Sequence, residues 1–168
     1  VAVFVHILPH LENEGFSRAT GARVVMVVTI IGLGPRLGLG WLGDVVNKRA
    51  VLAGAYIFQG VGILSLAYVE NTWTLVLFVA VYGLAAQSFS AVLFSLLADY
   101  FGRRHIGVIQ GVVLAPYAFG AILGPFLAGV TFDALGSYTW VFVAFGCATL
   151  LSGPIALTSR EPRVERVV

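Results

Sequence analysis

The chain has 168 residues, 59% of them hydrophobic and 11% charged, with a formal net charge of +2 and a mean hydropathy of +0.95. Soluble domains carry roughly 25% charged residues, so this composition is that of a membrane protein, and its basic residues are too scattered to give nucleic acid a footprint. One cysteine, Cys147, excludes an internal disulfide framework and a Cys-x-x-Cys metal site, and His6, His10 and His105 lack a ligand spacing, so no metal or other cofactor is expected.

The opening apolar run, residues 1–8, reaches about 12 Å as a helix and falls short of a bilayer core of about 30 Å. It has no basic start and no small-residue cleavage site, so it reads as the tail of a spanning helix whose beginning is missing, not as a signal peptide. Pro9 and His10 then open a polar loop over 10–20. Five apolar stretches follow, 22–42, 50–69, 73–98, 106–131 and 138–157, each near the length that spans a bilayer and none holding an acidic residue. The fold class is therefore all-α: a polytopic membrane helix bundle of five full transmembrane helices plus the end of a sixth.

The connections are short: 44–49, 70–72, 99–105 and 132–137. Lys48, Arg49, Arg103, Arg104, Arg160, Arg163 and Arg166 fall on one side, and Arg18 and Arg23 on the other. That bias makes the Asp44 corner, the Asp99 corner and the C-terminus cytoplasmic, in a multi-pass protein of the cell membrane. Trp41, Trp73, Tyr100, Tyr138 and Trp140 stand at span ends, where amphipathic rings anchor at the interface.

Arg36 is the one charge well inside a span. An ionisable group there costs a few kcal/mol even on lenient insertion scales, so by default it marks a pathway or site. Thr29, Gly32, Gly40 and Gly43 share its helical face and leave room for an anion beside the guanidinium, and Pro35 removes one backbone hydrogen bond there. The plainer alternative is an arginine that snorkels to the cytoplasmic edge or pairs with a carboxylate on another helix. Gly83, Gln87, Ser90 and Phe94 form one stripe, and Gln110, Tyr117 and Gly124 another; each can line a cavity or bond between helices. Gly107 with Gly111, and Gly120 with Gly124, read as close helix contacts, and Pro116 and Pro125 can make their helix a bending element. His6 is a candidate carrier of a coupling proton, since free histidine titrates near pH ~6.5; the alternative is an interfacial residue. No span holds the nucleophile and base, or the paired carboxylates, that a membrane enzyme needs, so the chain is read as no enzyme.

Gly40, Asp44 and Asn47 match Gly129, Asp133 and Gly136 at a constant offset of 89 residues, on opposite sides of the membrane, the pattern of an inverted repeat. The run Gly40-Trp41-Leu42-Gly43-Asp44-Val45-Val46-Asn47-Lys48-Arg49 resembles the loop signature of the major facilitator transporters. Val45 stands where that signature has a basic residue, and Asn47 where it has a glycine; Asn tolerates the left-handed turn expected of that glycine. The segment around His6, Pro9, His10, Gly15 and Phe16 resembles the loop between helices seven and eight of monocarboxylate and oxalate-formate type carriers. Gly120, Gly124, Pro125, Gly129 and the Asp133 to Tyr138 loop resemble their eleventh helix and its outside loop.

The resemblance covers almost the whole chain and implies the C-terminal six-helix half of such a carrier, truncated at the N-terminus. It also implies alternating-access transport of a small organic anion and a missing N-terminal half as partner. In these carriers an arginine eight residues before the aspartate meets the substrate carboxylate, a role that falls here on Arg36, with Gln87, Ser90, Phe94 and Tyr117 as further candidate substrate contacts. Gly40, Asp44, Lys48 and Arg49 become the gating corner, Asp44 needing a cationic partner or facing helix N-terminus, for which Lys48 and Arg49 are the local candidates. The lysine that oxalate-type carriers place in helix eleven is absent from 106–131, which tilts the expectation to a monocarboxylate, or to a cation contributed by the missing half. The alternatives are a drug–proton antiporter of the same superfamily and a non-transporting receptor or scaffold on the carrier fold.

Overall fold

The computed structural model describes residues 1–102, 104 and 106–159, with the backbone alone at residues 36, 37, 39–45 and 91. The expectations for Arg103, Arg160, Arg163 and Arg166 lie outside the described residues. Seven helices are described: α1 (Ala2–Asn13), α2 (Arg18–Val45), α3 (Lys48–Ala67), α4 (Thr72–Ala85), α5 (Ser88–Phe101), α6 (Ile106–Leu135) and α7 (Thr139–Thr158), with no strand among these residues. Taking Thr72–Phe101 as one stretch, five are long and apolar enough to cross a membrane.

Three local features depart from the sequence expectations. α1 does not stop at Pro9: it continues to Asn13, because a proline there forfeits one backbone hydrogen bond while its neighbours gain packing. The helix ends where Gly15 adopts φ +86°, with the Phe16 amide donating to Leu11 O at 2.9 Å and the Gly15 amide to Glu12 O at 3.1 Å, a Schellman stop in which Phe16 packs onto the core.

The span expected over 73–98 is broken at Ala86–Gln87 into α4 and α5. No proline or glycine lies at the break. The Ser88 hydroxyl instead donates to Leu84 O at 2.6 Å, the back-bonding by which serine bends helices. Asn47, third, is not left-handed: at φ −57° it is the N-cap of α3 and accepts the Arg49 amide, because the chain enters a new helix here and needs a cap more than a turn glycine.

Lipid tails are as apolar as leucine, so helices in a membrane associate through close packing and polar bonds. The tightest seam is between α3 and α7. A Cβ on Gly60 would lie 2.6 Å from Leu150 Cγ, one on Gly146 2.7 Å from Leu64, and one on Gly153 2.9 Å from Ile57. By contrast, Gly107, Gly111 and Gly120 have nothing within 4 Å of an added Cβ, and of the glycines read as close contacts on α6 only Gly124 meets a neighbour, Ala2 at 3.2 Å. α6 is the least packed helix, with Ala128 its one buried residue among those described.

The main core joins Ile7 and Leu11 of α1, Val28 of α2, Leu66 of α3, Phe78 of α4 and Phe142 of α7. Toward the other end Leu52, Val92 and Leu96 make a smaller cluster. With α4 and α5 running on as one broken span, successive spans alternate in direction, so the ends of α1 and α3 meet the start of α7, and the start of α3 meets the end of α5. Trp73 and Trp140 are 82% and 66% exposed, as interfacial anchors are. Tyr138 is instead buried, stacked on Phe132 at 4.3 Å, and Tyr100 is engaged by Arg49.

Candidate functional site

A cleft of about 750 Å³ opens among α1, α3, α4, α5, α6 and α7. Its polar lining includes Gln59, Gln87, Ser90, Tyr117, Thr149 and Ser152. Gln87, Ser90 and Tyr117, chosen from the sequence as substrate contacts, thus share one cavity. Phe94 is half-buried and does not line it.

Gln87 stands at the break between α4 and α5, and its stem fills the space at Gly32: a Cβ there would lie 2.8 Å from Gln87 Cγ. Gly32 therefore admits Gln87 against α2. Gly83, one turn earlier, meets Ile31 in the same way at 3.1 Å. The first half of the Gly83–Phe94 stripe is thus a helix contact, and Ser90 faces the cavity.

Arg36 lies on α2, next to Pro35, and Gly40 and Asp44 lie on the same helix. The side chains of Arg36 and Asp44 are outside the described residues. At the start of α3, Lys48 Nζ lies 2.6 Å from Asp99 Oδ2, and Arg49 Nε donates to the Tyr100 hydroxyl at 2.6 Å with its guanidinium 5.6 Å from that ring's centre. The two corners expected on one side of the membrane therefore meet. His6 Nε2 donates to Pro125 O, 3.0 Å away, tying α1 to α6, and its ring lies 5.1 Å from Tyr138.

The sequence reading passed over Gln59, Tyr82 and Thr149. Tyr82 is buried, and it and Gln59 both border the cleft. The available signal was a lone glutamine in the middle of the apolar stretch 50–69. Among the described residues no three His, Cys, Asp or Glu side chains gather where a metal could sit.

The model of the Major Facilitator Superfamily matches residues 2–168. Rat monocarboxylate transporter 13 is 28% identical over 158 residues, covering 92% of this chain and 37% of that protein. Human monocarboxylate transporter 11 is 30% identical over 159 residues, covering 89% of this chain and 34% of its own length. Human monocarboxylate transporter 2 is 26% identical, covering 86% and 31%. The chain thus spans about a third of the length of the curated relatives it matches. A match over nearly all its residues, on a bundle of membrane-length helices, makes this multi-pass chain a member of the Major Facilitator Superfamily of transporters.

Proposed function

We propose that the chain forms the C-terminal half of a secondary active carrier that moves a small organic anion, a monocarboxylate, by alternating access. The observation that carries this reading is the similarity of some nine-tenths of the chain to proteins named monocarboxylate transporters, joined to an arginine well inside the apolar stretch of a membrane-length helix. A guanidinium offers a carboxylate two parallel donors in a fixed fork, which suits it to an anion site.

In this account Arg36 meets the carboxylate, while Gln87, Ser90 and Tyr117 bond its polar groups, and His6 carries a coupling proton. The corner of Asp44, Lys48 and Arg49 gates the inside face, with the C-terminus cytoplasmic. The Lys48–Asp99 pair supports a gate that ties α3 to α5.

The test is uptake of a labelled short-chain monocarboxylate into proteoliposomes containing the longer carrier that includes this segment. Saturable uptake, competed by unlabelled monocarboxylates, is expected. No uptake, or uptake of organic cations in exchange for protons, would replace this reading with a non-transporting scaffold or an antiporter.

A further inference from the structure

His10, expected in a polar loop, is 1% exposed and stands at the junction of α1, α3 and α7. Its Nε2 lies 2.9 Å from Leu66 O, in the last turn of α3. A backbone carbonyl can only accept, so Nε2 carries the hydrogen and Nδ1 is the bare nitrogen of a neutral ring. The ring packs edge-on against Phe142 at 5.0 Å and against Tyr138 at 6.2 Å, both at the start of α7. Nδ1 is buried without a hydrogen-bond partner. The nearest acid is Glu14, one turn on, with Oε1 4.0 Å from Nδ1 and a side chain 34% exposed.

We propose that His10, with Glu14, is a proton-responsive latch at the outer end of the bundle, which holds the last turn of α1 against α3 and α7 while neutral and releases it on protonation. The inference does not rest on the substrate, since it concerns residues outside the cleft. A second proton can enter only at Nδ1. It would place a charge among Phe142, Tyr138 and the core, where burial disfavours it. Swung outward toward Glu14 and water, the same imidazolium is paired and solvated. The released form therefore binds the proton more readily, and acid shifts the population toward it.

His10 lies past the apolar run 1–8, and burial pulls its pKa below the ordinary histidine value, against smaller opposing effects from the Leu66 carbonyl and Glu14. A lowered value in the packed state means that the latch's contribution is present above the free histidine pKa of about 6.5 and is lost as pH falls below it. The other titratable groups facing this junction are His6 on α1 and Tyr138 before α7, with Asp133 of α6 acting on Tyr138. Burial and Asp133 raise the Tyr138 hydroxyl's pKa, so it does not change charge between pH 5 and 8. α3 contributes the Leu66 carbonyl, which does not titrate.

The test is the distance between spin labels at Glu12 and Tyr68, both exposed, on a Cys147→Ser background in lipid nanodiscs, from pH 8 to pH 5. A narrow distribution at pH 8 that lengthens by several ångströms on acidification is expected, with a midpoint below pH about 6.5. His10→Gln keeps a donor for Leu66 O and cannot titrate, so its distances should not change with pH. Glu14→Gln removes the acid that favours the released cation and should move the wild-type midpoint to lower pH. A flat wild-type profile overturns the proposal, as does an unchanged pH response in His10→Gln or a Glu14→Gln midpoint that stays or rises. Should His10→Gln fail to fold, the wild-type and Glu14→Gln profiles decide the question alone.

Discussion

At the scale of single residues, the two polar ties at the start of α3 differ in kind. The Lys48–Asp99 pair is short, but Asp99 is 51% exposed, and exposed pairs contribute about 0.2–1 kcal/mol. Asp99→Asn is therefore expected to lower bundle stability by less than about 1 kcal/mol in a denaturant titration in lipid, with the loss shrinking as salt rises. A salt-independent loss would place the effect in packing instead. Arg49 both bonds and covers the Tyr100 ring. Arg49→Lys keeps the charge but loses the planar fork, and should cost about 1 kcal/mol, more than an arginine-to-lysine change on an exposed face, in the same denaturant titration. These roles were half legible. The corners' common side follows from charge counting, whereas the choice of partners depends on which helices touch, and no sequence spacing reports that.

At the scale of elements, the α3–α7 seam shows what membrane burial does and does not reveal. Apolar length alone locates the spans, because lipid demands it of each helix separately. Which glycines lie at contacts is a property of pairs. Gly120 and Gly124 have the spacing of a contact motif, yet only Gly124 meets a neighbour, while Gly60, Gly146 and Gly153 line the tightest seam. Gly60→Ala would press a methyl onto Leu150, including its backbone nitrogen at 2.9 Å, and is expected to destabilise the bundle by about 1–3 kcal/mol. Gly107→Ala, which meets nothing within 4 Å, should be neutral or slightly stabilising in the same thermal unfolding assay, since alanine is the better helix former by about 1 kcal/mol. Equal losses from both would contradict this packing. The break at Ala86–Gln87 was hidden for a related reason: a serine hydroxyl makes it, and serine is common in intact membrane helices.

At the scale of the whole molecule, the described helices leave long apolar faces uncovered by the rest of the chain. α6 has one buried residue among those described, Ala128, and α2 carries Met26, Ile30 and Leu33 on its open face. Carriers of this plan bind substrate between two repeats, so the 168-residue chain alone is expected to give no flux above empty liposomes. The cleft was legible where a stripe within a single span picked out Gln87 and Ser90 and another picked out Tyr117, but Gln59 and Thr149 reach the same cleft from two other helices, and that convergence exists only after folding.

The central claim is that Arg36 receives a carboxylate, and the most direct measurement is the concentration dependence of monocarboxylate uptake by the longer carrier with Arg36, Arg36→Lys and Arg36→Ala. A buried charged hydrogen bond is worth about 1.5–3 kcal/mol, so Arg36→Ala should reduce transport efficiency by at least about tenfold, with Arg36→Lys between it and the wild type. Uptake that is unchanged in Arg36→Ala, with the protein folded and present in equal amount, would contradict the account.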